Sequence, residues 1–304
     1  MIPGAGADAS SRPVGAMLHL ADIDVALDGP LCPPFSSWPA SYQPFLAEKP
    51  GGASAVRFRI GAAGRHPADS RFVSTYVAGS WRCGTVDGRE IYRFHADENR
   101  AYLWAEPDAD FGSVDIWPEK DGGRQMPPLL HPVDRVLWMG VLAHRGGFIV
   151  HSCGWSCNGK SVLFPGVSGA GKTTLCRQLM AAGRGVVLSD DRVVLREGAD
   201  GFRACGTPWP GDAKQARDES APLAALCFIE KSPEHRLTPI RPAEALRRLL
   251  EAASIPWFSS ALRDRVLPLV ERLVSTVPAY RLGFHPDPGV IDCLLPLVGA
   301  APSS

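Results

Sequence analysis

The feature that most constrains this chain is an eight-residue run, Gly166 to Thr173 (GVSGAGKT), which matches the Walker A pattern G-x-x-x-x-G-K-[ST]. The apolar residues Ser161 to Phe164 precede it, and a helix-compatible stretch from Thr174 to Met180 follows it. The order predicts a strand, a glycine-rich turn and a helix. A turn of this kind without phosphate is the alternative, which the lysine, the threonine and both flanks disfavour.

These residue types suit the binding of a triphosphate. Glycines let successive backbone N–H groups curl around an anion, and the following helix adds the positive end of its dipole. Lys172 supplies a cation for the β- and γ-phosphates, and Thr173 supplies a hydroxyl for Mg²⁺. The predicted cofactors are therefore ATP and Mg²⁺. The residues predicted to bind them are Gly166, Ser168, Gly169, Ala170, Gly171, Lys172, Thr173 and Thr174.

Two consecutive carboxylates, Asp190 and Asp191, follow the apolar run Val186 to Ser189, and Asp190 lies 18 positions after Lys172. A strand–helix–strand crossover places the second strand parallel to the first, so both strands end at the same edge of the sheet. Phosphoryl transfer needs a metal ligand and a group that accepts the proton of the attacking hydroxyl. One aspartate would be the base and the other, with Thr173, a metal ligand. We favour Asp190 as the base and Asp191 as the metal ligand. The alternative is a solvated acidic turn.

The chain is expected to divide into a flexible tail (1–16), a mainly antiparallel β domain (17–128) and an α/β domain that carries the phosphate loop (129–304). Period-2 runs indicate the β domain, and Pro and Gly predict a long loop over 30–53. In the last part, helical spacing predicts helices over 134–145, 242–253, 259–277 and 290–298, with Pro268 kinking or splitting the third. Strands are predicted over 148–152, 222–230 and 279–284.

Composition excludes several classes of protein. Lys plus Arg and Asp plus Glu are both 32 of 304 residues, so the excess of basic residues typical of a nucleic-acid binder is absent. The eight cysteines are scattered, which indicates reduced thiols. The N-terminus lacks a signal-peptide pattern, and no run reaches the ~18 apolar residues of a membrane span. A soluble, cytoplasmic protein without nucleic-acid or membrane partners is expected.

Taken together, the motifs resemble a known family. His151-Ser152, the phosphate loop and Leu188 to Val193 (LSDDRV) look like the kinase domain of bacterial HPr kinase/phosphorylase, which shares its nucleotide fold with phosphoenolpyruvate carboxykinase. The resemblance covers Phe148 to Leu195. It implies an α/β P-loop kinase fold, a catalytic role for Asp190, Asp191 and His151, and self-association, because HPr kinases form hexamers. For His151, a structural role at a strand end is the alternative.

The activity expected on these grounds is transfer of the γ-phosphate of ATP to a hydroxyl of a peptide, a protein or a small molecule. A nucleotide-binding regulatory or scaffold protein is the second hypothesis. No N-K-x-D motif occurs, which disfavours a signalling GTPase. The family's downstream Arg-Gly-rich signature is replaced by Cys205 to Asp212, so neither reverse phosphorolysis nor HPr as substrate is expected. The segment Gly206 to Lys214 is a candidate acceptor loop with Trp209 as its binding face; an ordinary Pro-rich turn is the alternative.

Overall fold

The computed structural model describes residues 16–47, 55–61, 69–97, 100–119 and 129–299. These residues form two compact units. The first takes the described residues of 16–18, 24–37 and 46–129, and the second takes those of 19–23, 38–45 and 130–299. The predicted flexible tail lies outside the described residues except for Ala16, which begins a strand.

The first sheet has nine strands in the described residues, in the order β3-β1-β2-β4-β9-β8-β7-β6-β5. They are β1 (Ala16–Leu20), β2 (Ile23–Asp28), β3 (Leu46–Ala47), β4 (Ala55–Ile60), β5 (Val73–Ala78), β6 (Trp81–Val86), β7 (Arg89–Asp97), β8 (Arg100–Pro107) and β9 (Ser113–Pro118). The pairs β2–β4 and β4–β9 are parallel, so the sheet is mixed. Alternate residues of β2 are buried, as the period-2 pattern predicts.

The second unit combines eight strands and five α-helices of the described residues. In chain order they are α1 (Val133–His144), β10 (Gly147–Cys157), β11 (Lys160–Pro165), α2 (Lys172–Ala182), β12 (Val186–Ser189), β13 (Arg192–Gly198), β14 (Gly201–Cys205), β15 (Ser220–Lys231), β16 (Arg236–Pro239), α3 (Pro242–Ala252), α4 (Ser260–Thr276), β17 (Ala279–Phe284) and α5 (Val290–Val298). The predicted helices are all present, and α4 continues through Pro268 without a break.

Strand β10 organises this unit because it changes partners along its length. Its first half pairs with β13, and its second half lies between β11 and β12. Both β11 and β12 are antiparallel to β10, so they run in the same direction and end at the same edge. The shared edge was predicted from the sequence, but β10 was not expected between the two strands. Helix α2 packs on β10 and β12, and its Leu175 and Leu179 enter a core with Trp155 and Phe164.

The predicted fold class was wrong. The expected fold was an α/β P-loop kinase domain of the HPr kinase/phosphoenolpyruvate carboxykinase type behind a small β domain. The structure is instead β-rich: strands make up 42% and helices 28% of the described residues, in two large mixed sheets. The physical reason is that the chain after β12 returns through hairpins. Strands β13 and β14 are joined by a tight turn at Ala199 and Asp200 and pair antiparallel, where an α/β fold would insert a crossover helix.

Candidate functional site

The glycine-rich loop connects the end of β11 to the start of α2. Gly169 and Gly171 have φ angles of 82° and 95°, in the left-handed region that favours glycine. Gly171 is the N-cap residue of α2 and contributes no side-chain cap. The first N–H groups of a helix have no partner inside it, so the N-terminus of α2 offers donors and a positive dipole end to an anion.

Lys172 is the first residue of α2, and its side chain is buried over the loop. Its Nζ donates hydrogen bonds to the carbonyl oxygens of Gly166 at 2.7 Å and Val167 at 2.9 Å. Burial lowers the pKa of Lys172, while the negative charge of Asp191 opposes this shift. A nearby negative charge strongly stabilises the charged form of a buried ammonium group whose pKa is lowered.

A cavity of about 360 Å³ opens beside this loop. Its lining is polar or glycine throughout: His151, Ser168, Gly169, Gly171, Lys172, Thr173, Thr174, Asp190, Asp191, Gly211 and Asp212. Most of the predicted site residues are therefore brought together here; of the predicted set, Gly166 and Ala170 are the two outside the lining. Gly211 and Asp212 belong to Gly206 to Lys214, the candidate acceptor loop, and folding brings both into this lining from a distant part of the chain.

Asp190 is 2% exposed, and its carboxylate holds the loop that follows β14. It accepts hydrogen bonds from three backbone N–H groups, those of Gly211 at 2.9 Å, Ala213 at 2.7 Å and Gln215 at 3.0 Å. A carboxylate has about four lone-pair sites, so few remain for another partner. Its assignment as the general base stays a prediction, and these contacts weigh against it.

Asp191 is the more available carboxylate. Its Oδ1 lies 2.9 Å from Nε2 of His151 and 3.0 Å from Nη1 of Arg192. Burial alone would raise the pKa of Asp191. The hydrogen bond from His151 and the charges of Arg192, His151 and Arg135 outweigh that effect, so the pKa lies below its ordinary value. Asp191 is therefore ionised at neutral pH.

Two consecutive residues of β10 hold both loops of the site by backbone hydrogen bonds. The N–H of Gly166, where the glycine-rich loop starts, donates to the carbonyl of His151 at 3.1 Å. The N–H of Ser152 donates to the carbonyl of Asp191 at 3.0 Å. The spacing between the glycine-rich loop and Asp191 is thus set by the main chain of one buried strand.

Trp209, predicted to present a face to the acceptor, is only 6% exposed. Its Nε1 donates to Oδ2 of Asp134 at 2.6 Å and lies 3.1 Å from the hydroxyl of Tyr42, which also donates to Asp134. Asp134 is 3% exposed, and burial raises its pKa. Trp209 therefore anchors its loop to α1, while Gly211 and Asp212 of the same loop face the cavity.

Replacing Trp209 with phenylalanine should lower stability, because a buried carboxyl group loses a donor. The expected cost is about 1–3 kcal/mol, or a decrease in melting temperature of roughly 2–12 °C at about 2–4 °C per kcal/mol. Trp257, which is 57% exposed, provides the matched control, and Trp257→Phe should change stability by less than about 0.5 kcal/mol. Thermal unfolding of both variants measures the difference. Equal melting temperatures would show that the Trp209 contacts contribute nothing.

The donor set can accommodate Mg²⁺ beside bound phosphates. Mg²⁺ is usually held by one or two carboxylates, substrate phosphates and water, not by a cage of protein ligands. The Thr173 hydroxyl and the Asp191 carboxylate, both in the cavity lining, match that pattern. Within the described residues, no cluster of three or more His, Cys, Asp or Glu side chains could hold a metal unaided. A metal at this site would depend on the phosphates of a ligand.

The fold and the site define a β-rich protein in which a glycine-rich strand–loop–helix segment faces two consecutive aspartates across a polar cavity. The family model described as "ScmC: SynChlorMet cassette protein ScmC" matches residues 126–285, more than half of the chain. The chain therefore belongs to the ScmC family. No curated protein matches it. Among the described residues, none of the helices combines the length and the apolar character needed to cross a membrane.

This result corrects the family that the motifs suggested. The matching family model is that of ScmC, not of an HPr kinase, so the predicted relationship to HPr kinase/phosphorylase was wrong. The resemblance depended on short motifs between Phe148 and Leu195, whereas the ScmC match extends over all the strands and helices from α1 to β17. Short phosphate-loop and acidic motifs recur in unrelated contexts, so they do not establish a family.

Proposed function

We propose that this protein transfers the γ-phosphate of ATP to a hydroxyl group of an acceptor, with Mg²⁺ as cofactor. The observation that carries the proposal is the polar cavity in which the glycine-rich loop and Lys172 face Asp191. A triphosphate is held by backbone N–H groups, a helix N-terminus and a lysine in many phosphate-loop proteins. The same cavity brings a carboxylate to the place where the terminal phosphate would lie.

Each side chain of the lining has a role in this scheme. Lys172 and the N-terminus of α2 bind the phosphates and offset the negative charge of the transferred group. Asp191, ionised because its pKa is lowered, accepts a hydrogen bond from the acceptor hydroxyl and orients it for attack. As the hydroxyl oxygen bonds to the γ-phosphorus and ADP leaves, Asp191 takes the hydroxyl proton. The 2.9 Å contact from His151 fixes the orientation of the Asp191 carboxylate. In a loose phosphoryl-transfer transition state, orientation of the hydroxyl matters more than the basicity of the carboxylate.

Thr173 and Asp191 are the residues that would hold the metal. When bound, Mg²⁺ would neutralise part of the phosphate charge. Because Asp191 also pairs with His151 and Arg192, one carboxylate oxygen is engaged by protein donors, and Oδ2 is the oxygen without a described partner. Oδ2 has two lone-pair sites, enough for both the acceptor hydroxyl and the metal. A cytoplasmic location, where ATP is available and thiols stay reduced, belongs to the same proposal and fits the eight free cysteines.

One observation favours the second hypothesis, a nucleotide-binding protein without efficient transfer. Both carboxylates already have partners: Asp190 is occupied by backbone N–H groups, and Asp191 is paired with His151 and Arg192. A site in which neither carboxylate could take a proton from a hydroxyl would bind a nucleotide and retain it. Affinity and transfer must therefore be measured separately.

The test combines calorimetric titration of Mg·ATP with a transfer assay. The purified protein is incubated with ATP labelled on the γ-phosphate and with mixtures of hydroxyl-bearing small molecules or serine-containing peptides. The expected result is saturable binding of Mg·ATP and a labelled product that survives acid, as phosphate esters do. No labelled product should form when Mg²⁺ is chelated beforehand. Binding without a labelled product would support the non-transferring alternative. Absence of nucleotide binding would contradict both.

A further inference from the structure

Two arginines stand next to the proposed catalytic carboxylate without being part of the cavity beside the glycine-rich loop. We propose that Arg135 and Arg192 form a subsite for an anionic group, a carboxylate or a phosphate, that the acceptor carries in addition to its hydroxyl. The inference rests on the proposed function, because it defines the chemical class of the acceptor. Both arginines and their partners belong to the second unit.

Arg192 is placed beside the reacting groups by strand pairing. It lies directly opposite His151 in the antiparallel β10–β13 pair, so both side chains project from the same face of the sheet. Its Nη1 donates to the backbone carbonyl of Asp191 at 3.1 Å and to Oδ1 of Asp191 at 3.0 Å. These two contacts use one nitrogen of a planar group that has five N–H donors. The remaining edge of the guanidinium group can bind a second anion.

Arg135 is brought to the same side by the loop that follows β14. Thr207 Oγ1 donates to the carbonyl of Arg192 at 2.6 Å, and Trp209, two residues further, bonds Asp134 at 2.6 Å. The segment 207–209 therefore links the start of β13 to the first turn of α1, where Arg135 follows Asp134. The Nε of Arg135 is buried and has no hydrogen-bond partner. A buried, unsatisfied guanidinium N–H is costly, so Arg135 lacks the full set of acceptors that would hold its positive charge.

The two carboxylates near the arginines, Asp134 and Asp191, are already committed to donors of the protein. Asp134 is engaged by Tyr42, by Trp209 and by the backbone N–H of Arg135, while Asp191 is shared between Arg192 and His151. The positive charges of both arginines also act on the neighbouring His131. Burial lowers the pKa of His131, and the charges of Arg135 and Arg192 lower it further, against the opposing charge of Asp191. Both arginines therefore act on the same place, where their charges favour an anion.

Binding of the nucleotide does not involve these two arginines. The cavity that faces the glycine-rich loop is lined by His151 and Asp191 but by neither arginine. Arg192 meets that cavity through its contact with Asp191, the residue to which we assign the acceptor hydroxyl, and the charge of Arg135 also acts on Asp191. An acceptor whose hydroxyl reaches Asp191 would direct its remaining groups toward Arg135 and Arg192. Bidentate binding of a carboxylate or a phosphate is the interaction for which a guanidinium group is best shaped.

The test compares three probes of matched size on protein saturated with a non-hydrolysable Mg·ATP analogue. Glycerol carries hydroxyl groups alone, glycerate adds a carboxylate, and glycerol 3-phosphate adds a phosphate. Calorimetric titration should show at least about tenfold tighter binding for one or both anionic probes than for glycerol. Which of the two binds more tightly identifies the anionic group. Equal affinity for all three probes, including no detectable binding of any, would overturn the inference.

Substitutions test whether these arginines are responsible. Arg135→Gln and Arg192→Gln should each lower the affinity for the preferred anionic probe by about ten- to a hundredfold. Arg265→Gln, at an exposed position of α4, should leave that affinity unchanged. Melting curves identify a variant that fails to fold. Because Arg135 has no described ion pair, Arg135→Gln is expected to fold and keeps the test valid even if Arg192→Gln does not. Unchanged probe affinity in folded Arg135→Gln would contradict the subsite while leaving nucleotide binding intact. Failure of the unsubstituted protein to bind the Mg·ATP analogue would instead contradict the proposed function.

Discussion

Lys172→Ala should bind Mg·ATP one to two decades more weakly than the unsubstituted protein. The Nζ of Lys172 lies over the glycine-rich loop, where it contacts the carbonyls of Gly166 and Val167. In the proposed function it supplies the cation for the β- and γ-phosphates. Charge-assisted contacts of this kind contribute about 1.5–3 kcal/mol, which corresponds to roughly a ten- to hundredfold change in affinity. Calorimetric titration of both proteins measures the change.

The matched control is Arg177→Ala, which removes a positive charge from an exposed position of the same helix. The affinity of this variant for Mg·ATP should stay within about twofold of that of the unsubstituted protein, because exposed charges are screened by solvent and salt. Melting curves are needed for Lys172→Ala, since the substitution also leaves the two loop carbonyls without this donor. If the folded variant bound Mg·ATP as tightly as the unsubstituted protein, the loop would not be a phosphate site.

Asp191→Asn should reduce phosphate transfer by about 10²–10⁴-fold at saturating Mg·ATP, the range expected for loss of a catalytic acid or base. Asparagine keeps the shape of the side chain and can still contact His151 and Arg192 through its oxygen, so the fold should survive. Turnover with an identified acceptor measures the effect, and slow ATP hydrolysis serves before one is known. The expected loss is of rate, because the negative charge that orients the hydroxyl is removed.

Two further variants make the Asp191 result specific. Asp200→Asn lies in the exposed β13–β14 turn and should retain full activity. Asp190→Asn should instead lower the melting temperature, because an amide cannot accept the three N–H bonds that the carboxylate now receives. Folded Asp191→Asn with unchanged transfer would exclude this carboxylate from the reaction and leave the nucleotide-binding alternative.

The elements around the site could be predicted because their signals are local. The strand before Gly166, the helix after it and the strand that ends at Ser189 each follow from short-range periodicity and from glycine positions. The arrangement of the sheet could not be predicted, because it depends on pairing between distant segments. Strand β10 inserts between β11 and β12, and nothing in the sequence of either neighbour indicates this. For the same reason the α/β class was a wrong expectation.

The roles of single residues in the site could not be predicted either, because they depend on contacts between distant segments. Asp190 and Asp191 are chemically identical and adjacent, yet one is saturated by backbone N–H groups from the loop after β14, and the other is not. Likewise, the tryptophan of a Pro- and Gly-rich segment indicated a binding face, but Trp209 is buried against Asp134 and Tyr42. Tyr42 itself lies in a stretch predicted to be a long loop, where the structure forms a 3-10 helix over Ala40–Phe45. Such partners are brought together only by folding.

The attachment of both site loops to His151 and Ser152 has a consequence for motion. Thermal displacement of a central strand carries everything bonded to its peptide groups in the same direction, so the glycine-rich loop and Asp191 should move as one body. The separation between them then fluctuates less than the position of either loop. Ligand-induced tightening at Gly166 would be passed to Asp191 through the one peptide group that joins His151 and Ser152. Correlated displacement of the two loops, not the stiffness of either one, keeps the geometry between them constant.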